Sequence, residues 1–238
     1  MPLALKLALA PLLVAQAVAT RRGAPRLPEA EGPREGRVGE GDRLSLLIVG
    51  DSSAAGVGVA TQDEALAGHL TRTLAREAQR RVQWQLIAKS GITTAQALAL
   101  ARELRPMPAE IAVAVLGVND VIDQVRPSRA VQQRAALADW LRHAAGVRHV
   151  VFAPLPPVHR FPRLPQPLRH VMGAEARAHD EAMARWAATR DDVSHVPIAL
   201  DLGVEHMASD GFHPGEPVYR ATGEALARYI ATRLTPPA

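Results

Sequence analysis

Cysteine is absent from the 238 residues. That excludes disulfide scaffolds, Cys-ligated zinc, iron–sulfur clusters and thiol nucleophiles, and it leaves composition silent on compartment. Aromatic residues make up only 3% and lysines number two, Lys6 and Lys89. The 28 basic residues exceed the 24 acidic ones by four, and the arginines are scattered among the acids. A single-strand nucleic-acid binder needs a basic groove with stacking rings, so no nucleic-acid partner is expected. Long apolar runs are missing as well. The N-terminal one, Leu7–Ala19, has 13 residues, against roughly 18 or more for a spanning helix.

That run suits the core of a signal peptide, with Ala15-Gln16-Ala17 or Ala17-Val18-Ala19 as a small-residue cleavage site. Arg21 and Arg22 follow directly, so a retained segment would keep the main domain on the cytoplasmic side of a membrane. The alternatives are an anchor, giving membrane association through residues 1–19, and a helix packed on the domain. Cleavage implies a periplasmic or secreted protein; retention implies a cytoplasmic or membrane-associated one. Residues 20–42, mostly Gly, Pro, Arg and Glu without a hydrophobic period, read as a linker. The folded domain is expected over residues 43–238.

Within it, apolar runs alternate with helical patterns. Leu44–Val49 reads as a buried strand. Val82, Trp84 and Leu86, alternating with Gln83 and Gln85, read as an edge strand, and the wholly apolar Ile111–Leu116 as a central one. Val147–Ala153 and Val193–Ile198 complete the strands. Helices are expected over 61–79, from Thr93 to Pro106, and over 128–145, 168–189 and 217–233. Thr61/Glu64 and Thr93/Gln96 have the spacing for helix-starting caps. Pro154–Pro167, with six prolines, reads as a long loop. Strand–helix alternation implies an α/β fold with a parallel sheet between helical layers.

In such sheets, reactive groups collect on loops after the strands' carboxyl ends. Three such loops carry unusual polar content, Gly50-Asp51-Ser52-Ser53, Lys89-Ser90-Gly91 and Gly117-Val118-Asn119-Asp120, and a fourth segment, Asp210-Gly211-Phe212-His213, lies just before the last helix and should converge on the same end of the sheet. Acyl transfer needs a nucleophile, a neutral imidazole, an acid to orient it and donors for the oxyanion. Ser52, His213 and Asp210 supply the first three. The N–H groups of Ser52 and Gly91 and the amide of Asn119 are candidate donors. Asp201 is a substitute for the acid with a longer reach. Phosphate loops are excluded on detail: no Lys-Ser/Thr follows Gly56, and Gly56-Val57-Gly58 lacks the third glycine of a dinucleotide turn. His206, Asp210 and His213 do not have the spacing of a standard metal pair. The other seven histidines have no matching acid and read as surface or helix positions. Val118, Leu155, Phe161 and Phe212 are candidates for the wall of an acyl pocket; the competing reading is that they only cover the sheet edge.

The four segments resemble blocks I, II, III and V of the SGNH hydrolases, the GDSL-type esterase and lipase family, with Ser52, Gly91, Asn119 and His213 as the family letters. Ser53 stands where the family name calls for Leu. The resemblance implies a three-layer α/β/α sandwich of flavodoxin-like type with a five-stranded parallel sheet. It implies hydrolysis of a small-molecule or lipid ester, of short-to-medium acyl or lysophospholipid-like type, through an acyl-enzyme on Ser52. Neither metal nor other cofactor is implied. The alternatives are a carbohydrate O-acetyl esterase or an acyltransferase on the same residues, and a catalytically silent binding domain.

Overall fold

The computed structural model describes residues 8–200 and 202–235. Its sheet has six strands: β1 (Glu35–Val38), β2 (Arg43–Gly50), β3 (Arg81–Ala88), β4 (Ile111–Val115), β5 (His149–Phe152) and β6 (Val193–His195). Their spatial order is β1-β3-β2-β4-β5-β6. All neighbours run parallel except β1, which pairs antiparallel with β3 from Glu35↔Gln85 to Val38↔Val82. Among the described residues there are seven α-helices: α1 (Ala10–Gly23), α2 (Leu66–Ala78), α3 (Thr94–Leu104), α4 (Val118–Ile122), α5 (Pro127–Ala145), α6 (Leu168–Ala187) and α7 (Glu216–Arg233).

The three layers follow from the alternation of side chains along each strand. In β2, Leu46 and Ile48 face a core with Leu70 and Leu74 of α2 and Leu226 and Ile230 of α7. Leu47 and Val49 face the opposite core, with Leu137 and Leu141 of α5 and Met183 of α6. A strand buried on both faces must be apolar throughout, which is why this run shows no period of two. Each such Leu or Ile contributes about 1.5–3 kcal/mol of transfer free energy.

Two expectations need correction. The sheet has six strands rather than five, and β3 is not an edge: β1, from the segment that reads as linker, covers it. Glu-Gly-Arg-Val has no apolar period, and β1 is recruited through its backbone. Gly36 lies against the Trp84 indole, where a Cβ would stand 3.0 Å from Nε1. The rest of that segment is also tied down. Ala30 N–H donates to Ala55 O at 3.1 Å, and Gln62 Nε2 bridges Ala30 O and Ala55 O at 3.1 Å each.

The cap at Thr93/Gln96 forms and opens α3. At Thr61/Glu64 the carboxylate accepts from the Thr61 N–H at 3.2 Å, but a turn intervenes and α2 begins only at Leu66. Helix α1 packs Leu13 against Leu168 and Val171. Its Gln16 accepts from the Leu168 N–H at 3.1 Å and donates to Gln166 O at 2.7 Å. Residues 1–7 of the apolar N-terminal segment lie outside the described residues. No helix among the described residues is long and apolar enough to cross a membrane.

Candidate active site

Strands β3, β2 and β4 are neighbours, so the loops at their carboxyl ends share one rim of the sheet. The chain leaves β2 through Gly50, where a Cβ would overlap the Val115 carbonyl of β4. A tight turn follows. Asp51 N–H donates to Val115 O at 3.1 Å, Ala55 N–H to Asp51 O at 2.9 Å and Ser53 N–H to Asp51 Oδ1 at 3.0 Å. Ser52 is left partly exposed at the top.

The segment before α7 folds around a carboxylate. Asp210 Oδ1 accepts the N–H groups of Phe212 (2.9 Å) and His213 (3.0 Å), and Oδ2 meets His213 Nδ1 at 2.5 Å. Gly211 has φ +68, a left-handed conformation that suits glycine and lets the chain double back. Tyr219 of α7 donates to Val57 O at 2.6 Å, tying this segment to the Ser52 turn. His213 Nε2 then lies 3.0 Å from Ser52 Oγ. Nδ1–H donates to the carboxylate, so the neutral ring presents a bare Nε2 to the hydroxyl. Burial pushes the Asp210 carboxyl up, but the His213 ring and the two backbone donors outweigh that and hold it below the usual range. With both ring nitrogens of His213 engaged, the His206–Asp210–His213 set has no nitrogen of His213 left for a metal. Asp201 lies outside the described residues.

Gly91, at φ +78, has no atom within 4 Å of a notional Cβ, so its backbone faces open space. Asn119 Nδ2 donates to Ile92 O at 3.0 Å and stands 3.5 Å from Asp51 Oδ2, which joins the β4 loop to the other two. Neither the Ser52 nor the Gly91 N–H donates to another group among the described residues. Two donors therefore remain for a ligand on this rim.

Leu155 and Phe161 are 8% and 6% exposed, inside a cluster with Val121, Val158 and Val218. Both are largely enclosed by that cluster. Val118 and Phe212 are half-buried, and Phe212 packs edge-on against Phe161 with ring centres 6.4 Å apart. An open cavity of about 370 Å³ lies past β5 and β6, lined in part by Leu155, Arg160, Arg177 and Leu200; neither Ser52 nor His213 lines it.

Several contributors leave no mark in the sequence. Glu29 forms an ion pair with Arg34 and accepts from the Ser90 N–H at 2.6 Å, steadying the residue before Gly91. Arg34 donates to Ala88 O at 2.6 Å. Three histidines have partners that spacing does not reveal. His179 is buried, with Nε2 2.9 Å from Val125 O. His195 pairs with Asp180 at 2.8 Å and His69 with Glu216 at 3.1 Å. These partners lie far away in the chain, so no local pattern signals them.

Asp51 is buried beneath Ser52, and burial pushes its carboxyl up to about 6; the Ser53 N–H and His213 oppose this, while Asp120 adds to it. A carboxyl with a raised folded-state value stabilises the protein at low pH, and that contribution disappears as pH rises through the folded value. Between the ordinary 3.8 and about 6, the loss is on the order of 3 kcal/mol. Denaturant unfolding of wild type and Asp51→Asn at pH 4.5 and 7.5 should show wild type losing ground to the variant by most of that amount. Parallel pH dependences would contradict it.

A family profile described as the GDSL-like Lipase/Acylhydrolase family matches residues 48–221, a span that holds Ser52, Gly91, Asn119, Asp210 and His213. The GDSL-like esterase Rv1075c of Mycobacterium tuberculosis is 27% identical over 202 residues, 81% of this chain. The chain spans 63% of that relative's length. The family 3 carbohydrate esterase of Clostridium thermocellum superposes with a TM-score of 0.61 at 16% identity, covering 82% of this chain and 100% of that one. The lipase/acylhydrolase of Enterococcus faecalis does so with a TM-score of 0.58 at 18% identity, over 82% and 100%. At these identities the structural likeness speaks to the fold.

Proposed function

This chain belongs to the GDSL-like lipase/acylhydrolase family, and from that premise we propose that it is a carboxylic ester hydrolase that works through an acyl-enzyme on Ser52. His213 Nε2 takes the Ser52 proton as Oγ attacks the acyl carbon. Asp210 holds the imidazolium through Nδ1. The N–H groups of Ser52 and Gly91 receive the negative charge that develops on the carbonyl oxygen, and the Asn119 amide joins them by exchanging its long 3.5 Å contact with Asp51 Oδ2 for the oxyanion. Collapse of the tetrahedral intermediate expels the alcohol, which takes its proton from Nε2. Water, deprotonated in turn by Nε2, attacks the acyl-enzyme and releases the acid. The observation that carries this reading is the Ser52–His213–Asp210 chain, with spacings of 3.0 and 2.5 Å.

The substrates are esters of short to medium acyl groups. Leu155 and Phe161 are largely enclosed by their cluster, and the cavity that Leu155 borders is lined by neither Ser52 nor His213, so little apolar surface lies beside the nucleophile for a long chain. A nitrophenyl-ester series from acetate to palmitate tests this, and kcat/KM should peak at the short end. A peak at palmitate would overturn the acyl-length assignment. An acetylated sugar and an alcohol acceptor in the same panel would show whether the acyl group is taken from carbohydrate or passed to a second alcohol.

Asn119→Ala should lower kcat by about 10²–10³-fold with little change in KM, the effect of removing one oxyanion donor. Rates equal to wild type would remove Asn119 from that role.

A further inference from the structure

Among the described residues, Arg134 is the one arginine or lysine that is fully buried, at 1% exposure. It reaches from α5 toward Asp120, itself fully buried, with Nη2 3.4 Å from Oδ2. Removing an arginine from water costs several kcal/mol, which pairing repays only with excellent geometry, and apolar side chains of similar volume often stabilise a core as well or better. Core stability alone is therefore a poor explanation for this residue.

Its surroundings suggest another. Asp120 follows Asn119 directly. Its Oδ1 accepts from the Thr94 N–H at 2.9 Å, and its Oδ2 from the Thr94 hydroxyl at 2.5 Å. Thr94 opens α3, three residues after Gly91. Asp120 thus fastens the loop that carries Asn119 to the loop that carries Gly91. The guanidinium also lies flush against Gly117, whose φ is +131 and where a Cβ would overlap Nη2. Arg134 therefore fills the underside of the turn that presents Asn119, and it faces the charge of Asp120 first and those of Asp180 and Asp51 after it.

We propose that Arg134 is a positioning residue for ester hydrolysis: through its ion pair with Asp120 and its contact with Gly117, it sets the separation of the Asn119 and Gly91 donors. The inference rests on the oxyanion roles given to those two residues. Without the guanidinium, the buried Asp120 carboxylate loses its ion-pair partner and still faces the charge of Asp51. Mutual repulsion then loosens the Thr94 clamp, and the donors no longer meet the oxyanion at its transition-state position. Ground-state binding of the ester does not depend on that alignment, so the loss falls on kcat.

The test is steady-state kinetics on a short nitrophenyl ester, well below each variant's unfolding midpoint, for Arg134→Met, Arg134→Lys, the double variant Arg134→Met with Asp120→Asn, and Asn119→Ala. Arg134→Met should lose about 10–100-fold in kcat, the scale of a sub-ångström to one-ångström misplacement, with KM within a factor of about three. Arg134→Lys, which restores a charge but not the planar fork, should recover part of the loss. The double variant should be faster than Arg134→Met alone. Its neutral amide at position 120 needs no counter-charge, and the amide oxygen still accepts from the Thr94 N–H. If Arg134→Met does not fold, Arg134→Lys and the double variant decide the matter by the same kcat-against-KM split. Wild-type kcat in all Arg134 variants, beside an impaired Asn119→Ala, would overturn the proposal and leave the oxyanion assignment standing. An unimpaired Asn119→Ala would instead overturn that assignment and, with it, this inference.

Discussion

Replacing Ser52 with alanine is expected to lower kcat on an activated ester by about 10⁴–10⁶-fold, the loss that follows when a triad nucleophile is removed. The structure supports a fall near the large end of that range. Ser53 is the nearest alternative hydroxyl, but its N–H is fixed to Asp51 Oδ1 and His213 Nε2 is directed at Ser52 Oγ. The substitution removes one atom from a partly exposed position, so stability should change by no more than about 1 kcal/mol. Turnover by stopped-flow or extended steady-state assay, with matched unfolding curves, checks both halves. A Ser52→Ala protein that keeps a tenth of wild-type kcat would mean that another group attacks the ester.

Asp210→Asn comes next, with an expected fall of about 10³–10⁴-fold in kcat and little change in KM. The loss comes from the wrong imidazole tautomer, as it does in serine proteases of unrelated fold, and the local geometry gives it a specific form. The introduced amide can keep its carbonyl oxygen on the N–H groups of Phe212 and His213, so the loop should survive. Its NH₂ would then face Nδ1, forcing the ring to protonate Nε2 instead. An Nε2–H donates to the Ser52 hydroxyl and cannot accept its proton. Unfolding measured from pH 7 downward adds a second readout. The lowered carboxyl of Asp210 stabilises the fold above its ordinary range, and this contribution fades as pH falls through the folded-state value. Asp210→Asn should lack that component of acid destabilisation. Near-normal kcat in the variant would show that His213 takes its orientation from elsewhere.

Much of the fold is legible in the sequence because burial leaves a simple mark. Nearly every position of Leu44–Val49 and every position of Ile111–Val115 is apolar, because helices cover both faces of β2 and β4. The glycine-led polar segments after them stand out against those runs, and topology then brings Ser52, Gly91 and Asn119 to one rim. Asp210 and His213 are legible because one short loop contains both. What escapes is held by backbone or by distant charge. β1 has no apolar period, since its pairing with β3 uses main-chain groups. Glu29 and Arg34, in a stretch that reads as linker, act on Ser90 and Ala88 more than 50 residues away. Arg134 is one of many arginines at a helical position, and nothing local distinguishes it from a solvated one. Leu155 and Phe161 are visibly apolar, but a sequence does not say which side chains of a proline-rich loop turn into the core.

The most direct test is intact-protein and peptide mass spectrometry after treatment with a fluorophosphonate, which phosphonylates a serine activated by a neighbouring base far faster than an ordinary hydroxyl. A single adduct per chain, located on Ser52, abolishing turnover and absent from Ser52→Ala and His213→Ala, is the expected result. An active wild-type enzyme that resists the reagent, or one inactivated by an adduct on any other residue, would contradict it.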